Sequence, residues 1–367
     1  MEKFSCFHFA DKMKKVAVVK CASYKQGEVD EAVVKALNLI GFDMGDYYGK
    51  KVLIKPNIVG CFPKSQIATT THPSLIEAVC KILKQNKCEI FIGDSPFTRP
   101  EISYKAAGIN RLKKYGTLVE FETSNFVKIR DDGAKVLKVL TFPKIVKDVD
   151  LVIDMPKLKT HGLTKYTGAI KNLYGCIPGG LKQRLHNEAQ SEKRFAQLLV
   201  DIYQNIKPGL VIMDGVVGME GEGPTSGESK KSGLVLASEN AVALDIAATQ
   251  IIGYKPKKIL MIKEAVCRKL YPGFKFELVG MKQLLKINFD KPTSVEMKKT
   301  RNMIKSLFKE RPIVCDTKKC IKCGLCRDHC PVGAITLEPY PVIDRKKCIR
   351  CFCCIEICPR NALGLRK

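Results

Sequence analysis

The clearest periodicity in the chain lies at residues 192–206, where Phe195, Leu198, Leu199, Ile202 and Ile206 recur at helical spacing between Ser191 and Pro208-Gly209. Apolar positions three and four apart share one helix face, Ser is a favoured N-cap, and Pro-Gly stops a helix. Weaker versions of the pattern predict helices over 29–40, 73–86, 101–107, 240–252 and 258–268. Compact apolar runs predict strands at 16–21, 51–55, 89–93, 117–121, 135–140, 150–154, 210–213 and 233–237. Such alternation predicts an α/β large domain with a mostly parallel sheet, placed at residues 13–290. Residues 1–12 read as an N-terminal extension, and 291–310 as a linker helix with Met297, Ile304 and Phe308 on one stripe. Residues 311–367 read as a second, smaller module.

The smaller module carries the most specific chemistry. Cys320, Cys323, Cys326 and Cys330 precede Pro331, and Cys348, Cys351, Cys354 and Cys358 repeat the same spacing before Pro359. Three thiolates on a short loop can wrap one face of a cubane iron-sulfur cluster, and in this run the fourth Cys ligates the other cluster. The expected ligand sets are Cys320, Cys323, Cys326 with Cys358, and Cys348, Cys351, Cys354 with Cys330, giving two [4Fe-4S] clusters. Zinc sites use paired C-x-x-C groups and fit these runs badly. Disulfides belong to exported chains, and nothing here marks export. Cys353 breaks the register and reads as a spare thiol. The segment from Arg311 to Lys367 resembles bacterial two-cluster ferredoxins, which implies a small α+β ferredoxin-like fold and one-electron transfer.

At 367 residues and 45% apolar content, the chain has room for one large core beside this module. It shows no apolar run long enough to span a membrane and no hydrophobic leader, so the expected location is cytoplasmic. Seventeen cysteines suit a reducing compartment, and exposed clusters suit an anaerobic host. The formal net charge is +26, but the lysines are scattered and there is no Trp. The expected partner is an acidic redox protein or a phosphorylated ligand, with nucleic acid and membrane disfavoured.

Ligands of open α/β sheets gather beyond the carboxyl ends of strands. The expected strands end there in Lys55-Pro56-Asn57, Asp94-Ser95-Pro96, Pro156-Lys157 and Asp214-Gly215. The block PKLKTHGLTKYTGAIKNLYGCIPGGLKQRLH, from Pro156 to His186, packs Lys157, Lys159, His161, Lys165, Lys171, Lys182 and His186 among seven Gly and Pro positions. That composition is a poor recipe for core and a good one for a basic pocket. A second Gly-rich stretch, Asp214 to Glu228, reads as a loop whose Asp214, Glu220 and Glu222 can bind a metal or balance the lysines. It lacks the dinucleotide and P-loop fingerprints.

Lys55-Pro56-Asn57, Thr71-His72-Pro73, Gly93-Asp94-Ser95-Pro96, Lys157-x-Lys-Thr-His-Gly, the Gly168–Gly175 run and Glu220-Gly-x-Gly-Pro follow one another in an order that resembles the domain family numbered 362, from residue 14 to about 290. Members often carry a ferredoxin-like tail. More distantly, the Pro156–His186 block is similar to the nickel-pincer site of lactate racemase. That likeness implies His161 as a proton-transfer base, Lys171 as a cofactor tether and His186 as a metal ligand. The racemase's second base is missing, since its place reads Gly93-Asp94-Ser95.

These readings combine into an iron-sulfur electron-transfer protein whose α/β domain is a redox-linked enzyme acting on a small molecule. Its expected catalytic residues are His161, Lys171 and Asp214. Asn57, Asp94, Lys157, Lys159, Lys165, His186, Glu220 and Glu222 are expected to line the site, with room for an additional metal or organic cofactor. The alternatives are a non-enzymatic electron carrier or cluster-delivery protein, and a proton-transfer enzyme with a nickel-type cofactor.

Overall fold

A computed structural model describes residues 13–60, 66–189, 191–292, 312–349 and 351–365. The expected extension at 1–12, and all but the first two residues of the expected linker helix at 291–310, lie outside the described residues.

The strands in chain order are β1 (Lys15–Lys20), β2 (Lys51–Pro56), β3 (Glu89–Asp94), β4 (Thr117–Glu120), β5 (Phe126–Arg130) and β6 (Val139–Pro143). They continue with β7 (Leu151–Met155), β8 (Lys157–His161), β9 (Lys165–Thr167), β10 (Leu210–Glu220), β11 (Glu228–Ser238) and β12 (Glu277–Val279). Ten of them make one sheet in the order β12-β1-β11-β10-β7-β2-β3-β4, with β8 branching from β10 and carrying β9. Most pairings are parallel, and the antiparallel ones involve β11 and β9. This is the expected α/β domain with a mostly parallel sheet.

Parallel strands covered on both faces read as continuous apolar runs, and β2 shows why. Leu53 packs into one core, with helices Glu192–Ile206 and Ala241–Ile251. Its neighbours Val52 and Ile54 pack into the other, with helices Gln26–Ile40 and Pro73–Gln85. Glu192–Ile206 is capped as its sequence dictates, with the Ser191 hydroxyl accepting from the Arg194 N–H at 3.2 Å. No helix among the described residues is long and apolar enough to cross a membrane.

Three expectations change. The strand expected at 135–140 is instead β6, shifted to Val139–Pro143 and paired with β5 in a ribbon outside the main sheet. Only Leu140 and Phe142 of β6 contribute to the core, so this strand has one apolar face and not two. The Pro156–His186 block, a poor recipe for core by composition, builds β8, β9 and the helices Ala169–Asn172 and Gly179–Ala189 and puts Leu158, Tyr166, Ile170 and Leu173 into the core. Lys-Leu-Lys-Thr-His alternates with the period of a strand, and pairing with β10 and β9 satisfies its backbone. The Asp214–Glu228 stretch is mostly strand as well, and only residues 221–227 form the turn joining β10 to β11.

The C-terminal residues have their own small core of Ile313, Cys326, Ile335, Cys354 and Leu363. Strand Ile313–Cys315 pairs with Leu363–Leu365, and Ile335–Leu337 pairs with Pro341–Ile343, both antiparallel.

Leu199 is fully buried in the larger core. Leu199→Ala is expected to cost about 2–5 kcal/mol, and chemical denaturation showing less than about 1 kcal/mol would mean that this helix face is not packed.

Candidate functional site

The strand ends hold buried charges in pairs. Lys55 at the end of β2 lies 2.8 Å from Asp94 at the end of β3, with neither side chain appreciably exposed. Asp94 also accepts from the backbone N–H groups of Ile58 at 2.6 Å and Ser95 at 2.8 Å. Gly175 passes so close that a Cβ there would fall 2.1 Å from Asp94 Oδ1. One strand over, Asp154 of β7 accepts from Asn172 Nδ2 at 2.7 Å. Burial drives its carboxyl well above the usual carboxylate range, with Lys55 opposing.

Along β8, Lys157, Lys159 and His161 share one face. Lys157 Nζ lies 2.7 Å from Asp214 Oδ2 and 2.8 Å from the Tyr24 hydroxyl. Tyr24 in turn donates to Asp214 Oδ1 at 2.8 Å, and the His72 N–H donates to Oδ2 at 2.8 Å. The His72 ring stacks on Tyr24 at 3.7 Å. Lys159 Nζ donates to Asn57 Oδ1 at 2.7 Å and to the Thr69 carbonyl at 2.8 Å. His161 accepts the Leu163 N–H at Nδ1, 3.0 Å away.

A cleft with about 60 Å³ of open space lies beyond the ends of β2 and β3. Asn57, Asp94, Lys159, Lys171, Asn172 and Lys182 line it, and Pro224 of the 221–227 turn closes one side. Lys182 is buried and donates to the Ser95 carbonyl. Burial pushes its ammonium down to about 8, opposed by Asp94 and Glu122. Glu122 lies against the Ser95 hydroxyl, and burial raises its carboxyl. The cleft therefore brings three lysines together with hydrogen-bonding side chains at the place where α/β sheets bind ligands.

The structure thus divides the expected site residues. Asn57, Asp94, Lys159 and Lys171 meet in the cleft. Lys157 and Asp214 form a separate buried pair, and the cleft lining includes neither them nor His161. Lys165 reaches the Lys258 carbonyl at 3.2 Å, Glu220 pairs with Lys230 at 3.1 Å, and Glu222 is exposed. The side chain of His186 lies outside the described residues. Lys55 and Lys182 belong to the strand-end and basic-block patterns of the sequence, whereas Asn172 and Glu122 carry no signal there, because an isolated polar residue has none until the fold brings its partners to it.

In the C-terminal segment, Cys320, Cys323, Cys326 and Cys358 line one cavity. Cys354 has Cys351, Cys348 and Cys330 as its leading electrostatic neighbours. Backbone N–H groups point at sulfur, with Ala334 donating to Cys330 Sγ and Ala362 to Cys358 Sγ, both at 3.2 Å. Among the described residues no three Cys, His, Asp or Glu side chains converge as a single metal ion requires. Cys320, Cys323, Cys326 and Cys358 face a shared space instead. Cys315 adds a further thiol beside Cys320, pushed up to about 12 by burial and by that neighbour.

Fold and cysteine runs together define an iron-sulfur protein built on an α/β body. The chain belongs to the family described as Domain of unknown function (DUF362), which matches residues 52–250, and a 4Fe-4S binding domain matches residues 316–336. The thylakoid-associated protein sll1697 of Synechocystis sp. is 32% identical over 255 residues, covering 67% of this chain and 77% of that protein. The lactate racemase apoprotein of Thermoanaerobacterium thermosaccharolyticum matches at a TM-score of 0.44 and 15% identity, over 69% of this chain and 60% of the racemase. A likeness that remote carries no chemistry across.

Burial holds the His72 imidazole down at about 4, with Asp214 opposing. A base whose folded pKa lies below its unfolded value gives stability that is present above about 6.5 and is lost as pH falls toward 4. The His72 ring protons are expected to titrate near 4 by NMR, and a midpoint near 6.5 would place the ring in solvent.

Proposed function

We propose that this chain is an electron-transfer protein with two [4Fe-4S] clusters, linked to a reaction of a small anionic molecule in the lysine-lined cleft. It would be organised as an α/β domain at 13–290 and a ferredoxin-type module at 311–367. The observation that carries the cluster reading is the position of Cys358, which comes from the second run and lines the cavity of Cys320, Cys323 and Cys326. Crossed ligation of this kind is what two interlocked runs produce. Bound there, the clusters would supply one-electron transfer. Cys326 and Cys354, both buried, anchor the two loops in the small core, and the N–H groups of Ala334 and Ala362 would tune the sulfurs they face.

In the α/β domain, Lys159 and Lys171 would hold a negative group of the ligand, with Asn57 and Asn172 fixing its orientation. Lys182 titrates near 8, so it can hold or release a proton at Nζ within the physiological range. Lys157 and Asp214 have a structural role in this reading, because each satisfies the other's charge away from the cleft.

Anaerobic reconstitution is expected to yield about eight iron and eight sulfide per chain. Cys330→Ala should degrade the cluster of Cys348, Cys351 and Cys354 more than the one nearer in sequence. A zinc-loaded, colourless protein, or loss confined to the Cys320 cluster, would refute the assignment. For the cleft, Lys171→Ala should leave stability within about 1 kcal/mol. It should also weaken calorimetric binding of oxalate or inorganic phosphate at least about tenfold, the equivalent of one charged contact. Unchanged binding of both anions would return Lys171 to an ordinary half-buried lysine.

A further inference from the structure

The turn at 221–227 touches both halves of the chemistry. On one side Pro224 lines the lysine cleft. The turn is pressed onto β8, where Thr160 Oγ1 donates to the Gly221 carbonyl at 2.9 Å and the Gly162 N–H donates to the Gly223 carbonyl at 3.0 Å. A Cβ at Gly223 would fall 2.1 Å from the Thr160 carbonyl oxygen, so only glycine permits this approach. On its other side, Ser226 Oγ donates to Asn361 Oδ1 at 2.9 Å.

Asn361 follows Cys358 by three residues and is tied to it. Its N–H donates to the Cys358 carbonyl at 3.2 Å, and the next N–H, of Ala362, donates to Cys358 Sγ at 3.2 Å. Pro359, Arg360 and Ala362 line the same cavity as Cys320, Cys323, Cys326 and Cys358. Three extended residues span at most roughly 10 Å and two roughly 7 Å. Cys358 and the Pro224 wall of the cleft are therefore joined by a short, hydrogen-bonded path.

We propose that the C-terminal module docks on the α/β body through the Ser226–Asn361 contact, and that this makes the cluster of Cys320, Cys323, Cys326 and Cys358 the one nearer the cleft. The inference rests on the two-cluster reading above. It gives the clusters different roles: the near cluster exchanges electrons with the ligand in the cleft, and the cluster of Cys348, Cys351, Cys354 and Cys330 exchanges them with an external one-electron carrier protein.

Redox titration of the reconstituted full chain, followed by electron paramagnetic resonance, tests the placement. Nearby charge shifts a cluster's potential and the effect fades with distance. Ser226→Arg is therefore expected to raise the potential of the near cluster and leave the other in place. Cys351→Ser, which spares the near cluster, identifies its signal. Equal shifts in both clusters, a shift confined to the other cluster, or no shift in either would overturn the docking. A second measurement covers the case in which Arg itself displaces the module. A nitroxide on Glu228→Cys, in a chain with the exposed Cys267 changed to Ser, should relax faster in the reduced Cys351→Ser protein than in the reduced Cys323→Ser protein. Equal or reversed relaxation would also overturn it. Absence of both clusters from the unmodified chain would instead defeat the electron-transfer reading itself, an outcome distinct from either.

Discussion

Two ion pairs, Lys55 with Asp94 and Lys157 with Asp214, lie at the carboxyl edge of the sheet with essentially no exposure to water. Placing four charges there is costly, and it is tolerated only because each charge has a close opposite and further hydrogen bonds. Asp214 accepts from Tyr24, His72 and Val216 in addition to Lys157. Asp94 ties β3 to the segment after β2 through Ile58. Removing one member of either pair would leave an unpaired buried charge, typically worth 3–5 kcal/mol. The positions of the surrounding loops follow from this constraint, since the chain after β2, the chain before Pro73 and the start of β8 must all deliver a partner to the same edge.

The cleft depends on that edge in turn. Asn172, on the short helix after β9, donates to the Lys55 carbonyl at 3.2 Å and to Asp154, which fixes how the Lys171 turn approaches the strand ends. Asp245 accepts the Tyr166 hydroxyl and the N–H groups of Ala169 and Ile170, holding the same helix from its other end. Gly168 and Gly175 bracket it where a Cβ would strike Asp245 and Asp94. The charge balance at the sheet edge and a narrow, lysine-lined opening are thus two consequences of one packing arrangement.

The C-terminal segment follows a different logic. Its described core contains few apolar side chains, and two of its members are the cysteines 326 and 354. Small modules rarely gain enough from apolar burial alone and commonly draw stability from a bound metal centre. Cys326 and Cys354 are part of this packing, so under the proposed ligation cluster loading and folding of this segment would be coupled.

The helices, the covered parallel strands and the cysteine runs were legible because their signals are local. A helix face repeats every three or four residues, as in Phe195 to Ile206, and cluster ligands are spaced by the geometry of a short loop. The site was only partly legible. Asn57, Asp94, Lys159 and Lys171 follow from strand ends and composition, whereas the role of Lys182 and the exclusion of Asp214 from the cleft do not. Strand alternation is present in Lys-Leu-Lys-Thr-His, but charges at inward positions read as a poor core, because the partners of Lys157 and Lys159 lie far away in the sequence. Which lysine faces a carboxylate and which faces the cleft is set by residues far apart in sequence, such as Tyr24, His72 and Asp214 around Lys157. Sequence alone determined the periodic elements and the thiol spacing, because those depend on neighbours along the chain. Only the tertiary structure decided the pairing of buried charges, because that depends on which strand ends the sheet order brings side by side.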